Sequence, residues 1–190
     1  MEIRLPGLNA MPLDEALAVF TIEPGGIINR NTIVKDLRAL FARAQEDYGL
    51  ILKSPAQRIN SDGSVELEIV EMRLRNLSFT GLVKTKEDVV RREISAVEGE
   101  VFDAKEFTRD LQDLFMLGYF ESIEPEVLET EEPDRLDVRI EFTEGKTGTI
   151  SLSLGYNTND GELTGGFQIG DANLFGTGNR LSFGMEMNPD

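Results

Sequence analysis

The 190 residues carry 35 acidic and 19 basic side chains, for a formal charge of −16, and contain neither His nor Cys. That balance excludes a nucleic-acid binder, which needs a basic footprint, and excludes charge-driven docking on anionic lipid. Without His or Cys there is no imidazole acid–base chemistry, no thiol nucleophile and no ordinary zinc site.

No apolar run approaches the roughly 18 residues of a transmembrane helix, and no basic-then-apolar leader opens the chain. A secreted form is therefore expected to have lost a signal peptide. The chain stops at Pro189-Asp190 directly after a strand pattern, which reads as an excerpt of something longer.

The first stretch predicts a short strand over residues 2–5, a short helix over 13–20 and a long helix over 31–47. Ile33, Leu37, Leu40, Phe41 and Ala44 recur at helical spacing, and such a stripe belongs to a core. Strands are expected over 50–59 and 65–70.

The second stretch is clearer. Residues 72–79 read as a strand, and Thr85-Lys86-Glu87-Asp88 opens a helix as a capping box with Thr85 at the cap. Asp103-Ala104-Lys105-Glu106 starts a second helix in the same way. Phe107, Leu111, Leu114 and Phe115 fall at helical spacing, and Gly118 stops that helix. Strands follow over 120–128 and 135–142, the latter alternating cleanly through Leu136, Val138, Ile140 and Phe142.

The two stretches are copies of one β-α-α-β-β unit. Asp36-Leu37-Arg38-Ala39-Leu40-Phe41 aligns with Asp110-Leu111-Gln112-Asp113-Leu114-Phe115, and Ile22-Glu23-Pro24-Gly25-Gly26 with Val97-Glu98-Gly99-Glu100. Each copy closes on an acid, Glu71 or Glu144. The offset of roughly 70 to 75 residues suits tandem small domains better than a solenoid.

In each copy the strand after the long helix carries a proline, Pro55 or Pro125. Proline has no N–H to donate, so that strand belongs at a sheet edge with the last strand inside. An open edge either resists unwanted pairing or accepts an extended peptide by β-augmentation. Candidate residues are Leu50, Ile51, Leu52, Lys53 and Ser54 in the first copy and Ile123, Glu124 and Val127 in the second. Acids flank the second strand, so the first copy is expected to be the better receiver.

From Thr147 onward the pattern changes. Ile150, Leu152, Leu154 and Tyr156 alternate with Thr149, Ser151, Ser153 and Gly155. After Asn157-Thr158-Asn159-Asp160-Gly161 the alternation returns with Leu163, Phe167 and Ile169, and after Asn179 with Leu181, Phe183, Met185 and Met187. A soluble meander with one buried face gives the same pattern as a barrel wall. The turn between the last two strands, through Asn173, Leu174, Phe175, Gly176 and Gly178, has glycines where a tight reversal needs positive φ.

Two β-α-α-β-β units, the Leu117-Gly118-Tyr119-Phe120 step and Asn173-Leu174-Phe175-Gly176 between alternating strands resemble the BamA-like outer-membrane β-barrel assembly family. The resemblance covers essentially the whole chain. It implies an α+β chain of two tandem POTRA domains, 1–71 and 72–145, followed by the first three antiparallel strands of a transmembrane β-barrel, 146–190. It also implies a place in the bacterial outer membrane with the POTRA domains in the periplasm. The implied partners are unfolded outer-membrane proteins, accessory assembly subunits and outer-membrane lipid. Ile150, Leu152, Leu154, Phe167, Ile169, Phe183 and Met185 would face that lipid.

Within the same superfamily a two-partner secretion pore or a chloroplast outer-envelope import channel is the alternative. A soluble periplasmic scaffold of tandem small domains is the reading of another class. No constellation supports an enzyme, a cofactor or a metal. The carboxylates lie in solvated runs such as 129–132. Asn157 to Gly161 lacks a bidentate Glu at the twelfth loop position, where Gln168 stands. Gly176-Thr177-Gly178 opens no helix and so is no phosphate loop.

Overall fold

The computed structural model describes residues 2–21, 29–157 and 162–187. Two stretches singled out above, residues 22–26 and most of the turn over 157–161, lie outside those residues.

The first repeat contains β1 (Ile3–Arg4), α1 (Leu13–Leu17), α2 (Arg30–Tyr48), β2 (Leu52–Lys53), β3 (Gln57–Ile59), β4 (Val65–Leu67) and β5 (Val70–Glu71). Helix α2 begins where the Asn29 side chain accepts from Asn31 N–H at 2.9 Å, and it ends at Gly49 with φ 69°. Its stripe of Ile33, Leu37, Leu40 and Ala44 is buried against Leu5, Leu50, Leu52, Val65, Leu67 and Ile69. Each leucine or isoleucine of the stripe contributes about 1.5–3 kcal/mol by leaving water, so this stripe organises the repeat.

One expectation needs correction here. The strand over 50–59 is two strands, with Pro55 in neither, and its partner over 65–70 is broken opposite. Lys53 pairs with Val70 and Gln57 with Leu67, so three residues on one side face two on the other. The extra residue is a bulge, where a proline costs no ladder bond. Sheet order β1-β4-β3 puts β4 inside and β3 at an edge, with β1 parallel to β4.

The second repeat contains β6 (Arg73–Thr80), α3 (Glu87–Arg91), α4 (Ala104–Met116), β7 (Phe120–Glu129) and β8 (Arg135–Glu144). The order β6-β8-β7 puts Pro125 in an edge strand and β8 inside. Leu136, Val138, Ile140 and Phe142 are all buried, as their alternation predicts. Asp103 Oδ1 accepts from the N–H of Lys105 and Glu106 at 2.9 and 2.8 Å, capping α4, and Gly118 with φ 74° follows its end. Phe115 stands half exposed instead of joining Phe107 and Leu114 in the core. Helix α3 differs as well. Its cap residue is Lys86, with no side-chain cap bond, and Thr85 is engaged elsewhere.

The last three strands, β9 (Gly148–Asn157), β10 (Glu162–Leu174) and β11 (Asn179–Met187), form an antiparallel sheet in the order β11-β10-β9. By packing, the chain falls into two compact units. One is Met1–Ser78, Ser95–Asp110 and Glu126–Arg139; the other is Phe79–Ile94, Leu111–Pro125 and Ile140–Asp190. The three-part division drawn from the sequence follows repeats, whereas these units follow contacts.

Candidate functional site

The turn after β10 is held by a dense set of hydrogen bonds. Asn173 is fully buried. Its side-chain amide donates to Thr85 Oγ1 at 2.9 Å, and its carbonyl oxygen accepts from Gly178 N–H at 2.8 Å. Gly176, at φ 71°, presses so closely that a Cβ there would lie 1.7 Å from the Lys84 carbonyl oxygen. Lys86 N–H donates to the Gly176 carbonyl at 2.9 Å, and Tyr119 Oη donates to the Gly178 carbonyl at 3.2 Å. The turn is thus seated on the loop that precedes α3.

A second layer of contacts fixes that loop. Lys84 Nζ reaches Asp171 Oδ2 and Thr147 Oγ1, each at 2.7 Å, and Thr147 Oγ1 donates to Asp171 Oδ1 at 2.7 Å. The Glu144 carboxylate accepts from the N–H groups of Lys84 and Thr85 at 2.7 and 2.6 Å. Burial pushes the Glu144 carboxyl up, but these hydrogen bonds outweigh it and hold the group below the usual glutamate range. Of these residues, Asn173, Gly176 and Gly178 are legible from the sequence as parts of the turn motif. Lys84, Thr147 and Tyr119 were not singled out as partners, and Thr85 was assigned to a cap.

The two candidate edges differ. In the first repeat Leu50 and Leu52 are core residues, and Ile51, Lys53 and Ser54 are half buried. Leu50 also bridges Asp103, and Ala104 N–H donates to the Gly49 carbonyl at 2.8 Å. In the second repeat β7 runs unbroken for ten residues at the edge of its sheet, with Glu124 and Val127 exposed and Ile123 half buried.

The register of the last sheet aligns its apolar residues in rows. Ile150, Ile169 and Phe183 stand side by side, as do Leu152, Phe167 and Met185. Leu154 and Met187 flank Gly165. All seven expected lipid-facing residues are exposed, from 39% for Phe167 to 86% for Leu154. Ser151, Gln168 and Gly184 form a row on the opposite face. One side is continuously apolar and the other small and polar, as a barrel wall requires.

Comparison with known proteins decides the family. Residues 72–145 match the POTRA model, described as a surface antigen variable number repeat. The outer membrane protein assembly factor BamA of Neisseria meningitidis is 27% identical over 178 residues, or 90% of this chain. This chain belongs to the BamA-like outer-membrane family. Its place is accordingly the bacterial outer membrane, with its POTRA domains in the periplasm.

The chain spans 22% of the Neisseria BamA, so it corresponds to a part of that protein. The crystal structure of BamA from Haemophilus ducreyi lacking POTRA domains 1–3 overlays 99% of this chain and 37% of that one, with a TM-score of 0.63 and 21% identity. CdiB from Escherichia coli overlays 97% of this chain and 35% of that one, with a TM-score of 0.73 and 12% identity. Both share the fold: tandem POTRA domains leading into the first strands of a transmembrane β-barrel.

Proposed function

We propose that this chain is the POTRA-to-barrel portion of an outer-membrane protein assembly factor. Its POTRA domains bind unfolded barrel clients and accessory subunits in the periplasm, without catalytic chemistry. The supporting observation is β7, a ten-residue edge strand in the POTRA domain that adjoins the barrel sheet in sequence. An extended client strand can add to its outer edge through backbone hydrogen bonds, with little demand on client sequence.

This takes the second repeat over the first, reversing the expectation from sequence. Leu50 and Leu52 spend their side chains on the core, Ile51, Lys53 and Ser54 are half buried, and the strand they begin is broken at Pro55. The acids on β7 then act as a filter against acidic peptides, not as a bar to pairing. The likeness to CdiB is one of fold and gives no separate support to a secretion pore.

The test is an amide NMR titration of the chain in detergent micelles. Peptides with the alternating pattern of barrel strands are compared with scrambled polar controls. Shifts concentrated on residues 121–129 for the alternating peptides are the expected result. Shifts spread over α2 and α4, or none up to about 1 mM peptide, would leave β7 as a merely protected edge.

A further inference from the structure

We infer that Phe175 and Val83 are interfacial anchors that seat the turn in the phospholipid headgroup zone of the periplasmic leaflet. Phe175 has φ 54° and is 79% exposed. Bulky side chains avoid that left-handed conformation, and it persists only where the surroundings impose it. Here they do. Asn173 is buried on one side of Phe175, and on the other Gly176 is pinned between the Lys84 carbonyl and the Lys86 N–H. The turn therefore holds an aromatic ring outward, in a conformation that its two pinned flanks impose.

Val83 precedes Lys84 and is 90% exposed. The Gly176–Lys84 contact consequently has an exposed apolar residue on each of its two strands of chain. Leu174, the neighbour of Phe175 in the chain, carries the apolar surface on to the sheet. Leu174 lines one groove with Ile150, Ile169, Leu181 and Phe183, on the face that carries the lipid-facing rows. That continuity identifies the occupant as lipid. At the end of a barrel strand an aromatic ring belongs at headgroup level, where it has an apolar surround on one side and water on the other. The exposed Lys86 on the same loop suits lipid phosphate.

This inference rests on the outer-membrane placement and not on client binding, so it and the peptide titration can fail separately. The chain has no Trp, which makes single reporters available. Phe175→Trp and Val83→Trp chains are placed in phosphocholine bicelles whose acyl chains are brominated either near the glycerol or at the methyl end. Blue-shifted emission is expected, with quenching several-fold stronger from the glycerol-end bromines. Val127→Trp on β7 should be quenched by neither and remain open to iodide. Adding Thr85→Val to the Phe175→Trp chain should shift its emission to the red, because the seat that holds the ring is loosened. Circular dichroism confirms that each variant is folded. Iodide access at position 175 equal to that at 127 would overturn the proposal. So would protection from iodide without bromine quenching, because a protein surface would then be the cover.

Discussion

The two POTRA repeats use the same three polar devices, and they differ where the second meets the barrel turn. Gly7 and Gly81 each follow the first strand at positive φ, with a carbonyl oxygen where a Cβ would go. Glu71 accepts from the N–H groups of Asn9 and Ala10, both at 2.6 Å, as Glu144 does from Lys84 and Thr85. Asp36 accepts from Thr21 N–H and Asp110 from Ser95 N–H, each with a hydroxyl bond besides. In the first repeat the clamped loop is exposed at Asn9 and Ala10. In the second, Thr85 replaces the alanine, and its hydroxyl receives Asn173. The carboxylate clamp is therefore a folding device of the repeat, whereas the hydroxyl at 85 is an addition for docking.

The largest effect should come from the paired glycines. A Cβ at Gly7 would lie 2.1 Å from the Ile69 carbonyl oxygen, and one at Gly81 would lie 2.0 Å from that of Phe142. Backbone cannot yield as a side chain does, so Gly7→Ala and Gly81→Ala should each cost about 3 kcal/mol or more. Gly118 has φ 74° and open space around it, so Gly118→Ala should cost only the left-handed penalty of about 1–2 kcal/mol. Urea denaturation of the three variants measures the difference. A loss at Gly81 no larger than that at Gly118 would break the equivalence of the two repeats.

The carboxylate clamps come next. Glu144 accepts through both of its oxygens, so Glu144→Gln leaves one N–H facing an amide NH2, with an expected cost of about 1–3 kcal/mol. Glu71 takes both N–H groups on Oε1, which a glutamine keeps, so Glu71→Gln should cost less. Because the Glu144 carboxyl is held below its ordinary value of 4.5, its contribution is full above that value. It declines as pH falls from there through the lower folded value. Denaturation midpoints over that acid window should thus fall less steeply in Glu144→Gln than in the parent chain.

A smaller and sharper test follows from the hydroxyl. Thr85→Val keeps the shape and leaves the buried Asn173 amide without its acceptor, at about 1–2 kcal/mol. Ala10→Thr puts the same hydroxyl into the exposed loop of the first repeat and should stay within about 0.5 kcal/mol. A comparable effect at both positions would mean that the loop, and not the docked turn, uses the hydroxyl.

Local signals carried the fold well. Asp103 caps α4 as the sequence suggests, because the amides it satisfies are two and three residues away. The β8 alternation and the α2 stripe are equally local, with each side chain's neighbours set by the period of the element. Thr85 shows the limit. The capping pattern at 85–88 is sound by spacing, but a partner 88 residues along the chain claims the hydroxyl, and no window of sequence contains both. Lys84, Thr147 and Asp171 were opaque for the same reason. The bulge at Pro55 was half legible: proline marked the strand as an edge, but the one-residue mismatch with its partner is a property of the pairing.

The smallest effect on stability concerns the prolines, and it bears on what each edge can do. In β7, Pro125 sits within a continuous strand, so the N–H it lacks is one that would point away from β8. Pro125→Val should change stability by no more than about 0.5 kcal/mol. It restores a donor to an otherwise open edge, and an edge with a complete row of donors is a better template for pairing. Pro55 lies at the bulge between β2 and β3, where a restored N–H joins no open row. With detergent covering the barrel sheet, sedimentation velocity should show that Pro125→Val raises self-association while Pro55→Val leaves it unchanged. Equal association of the two variants would mean that the first repeat also presents a usable edge. In that case the choice of β7 as the receiving strand would lose its footing, because the break at Pro55 would no longer separate the repeats.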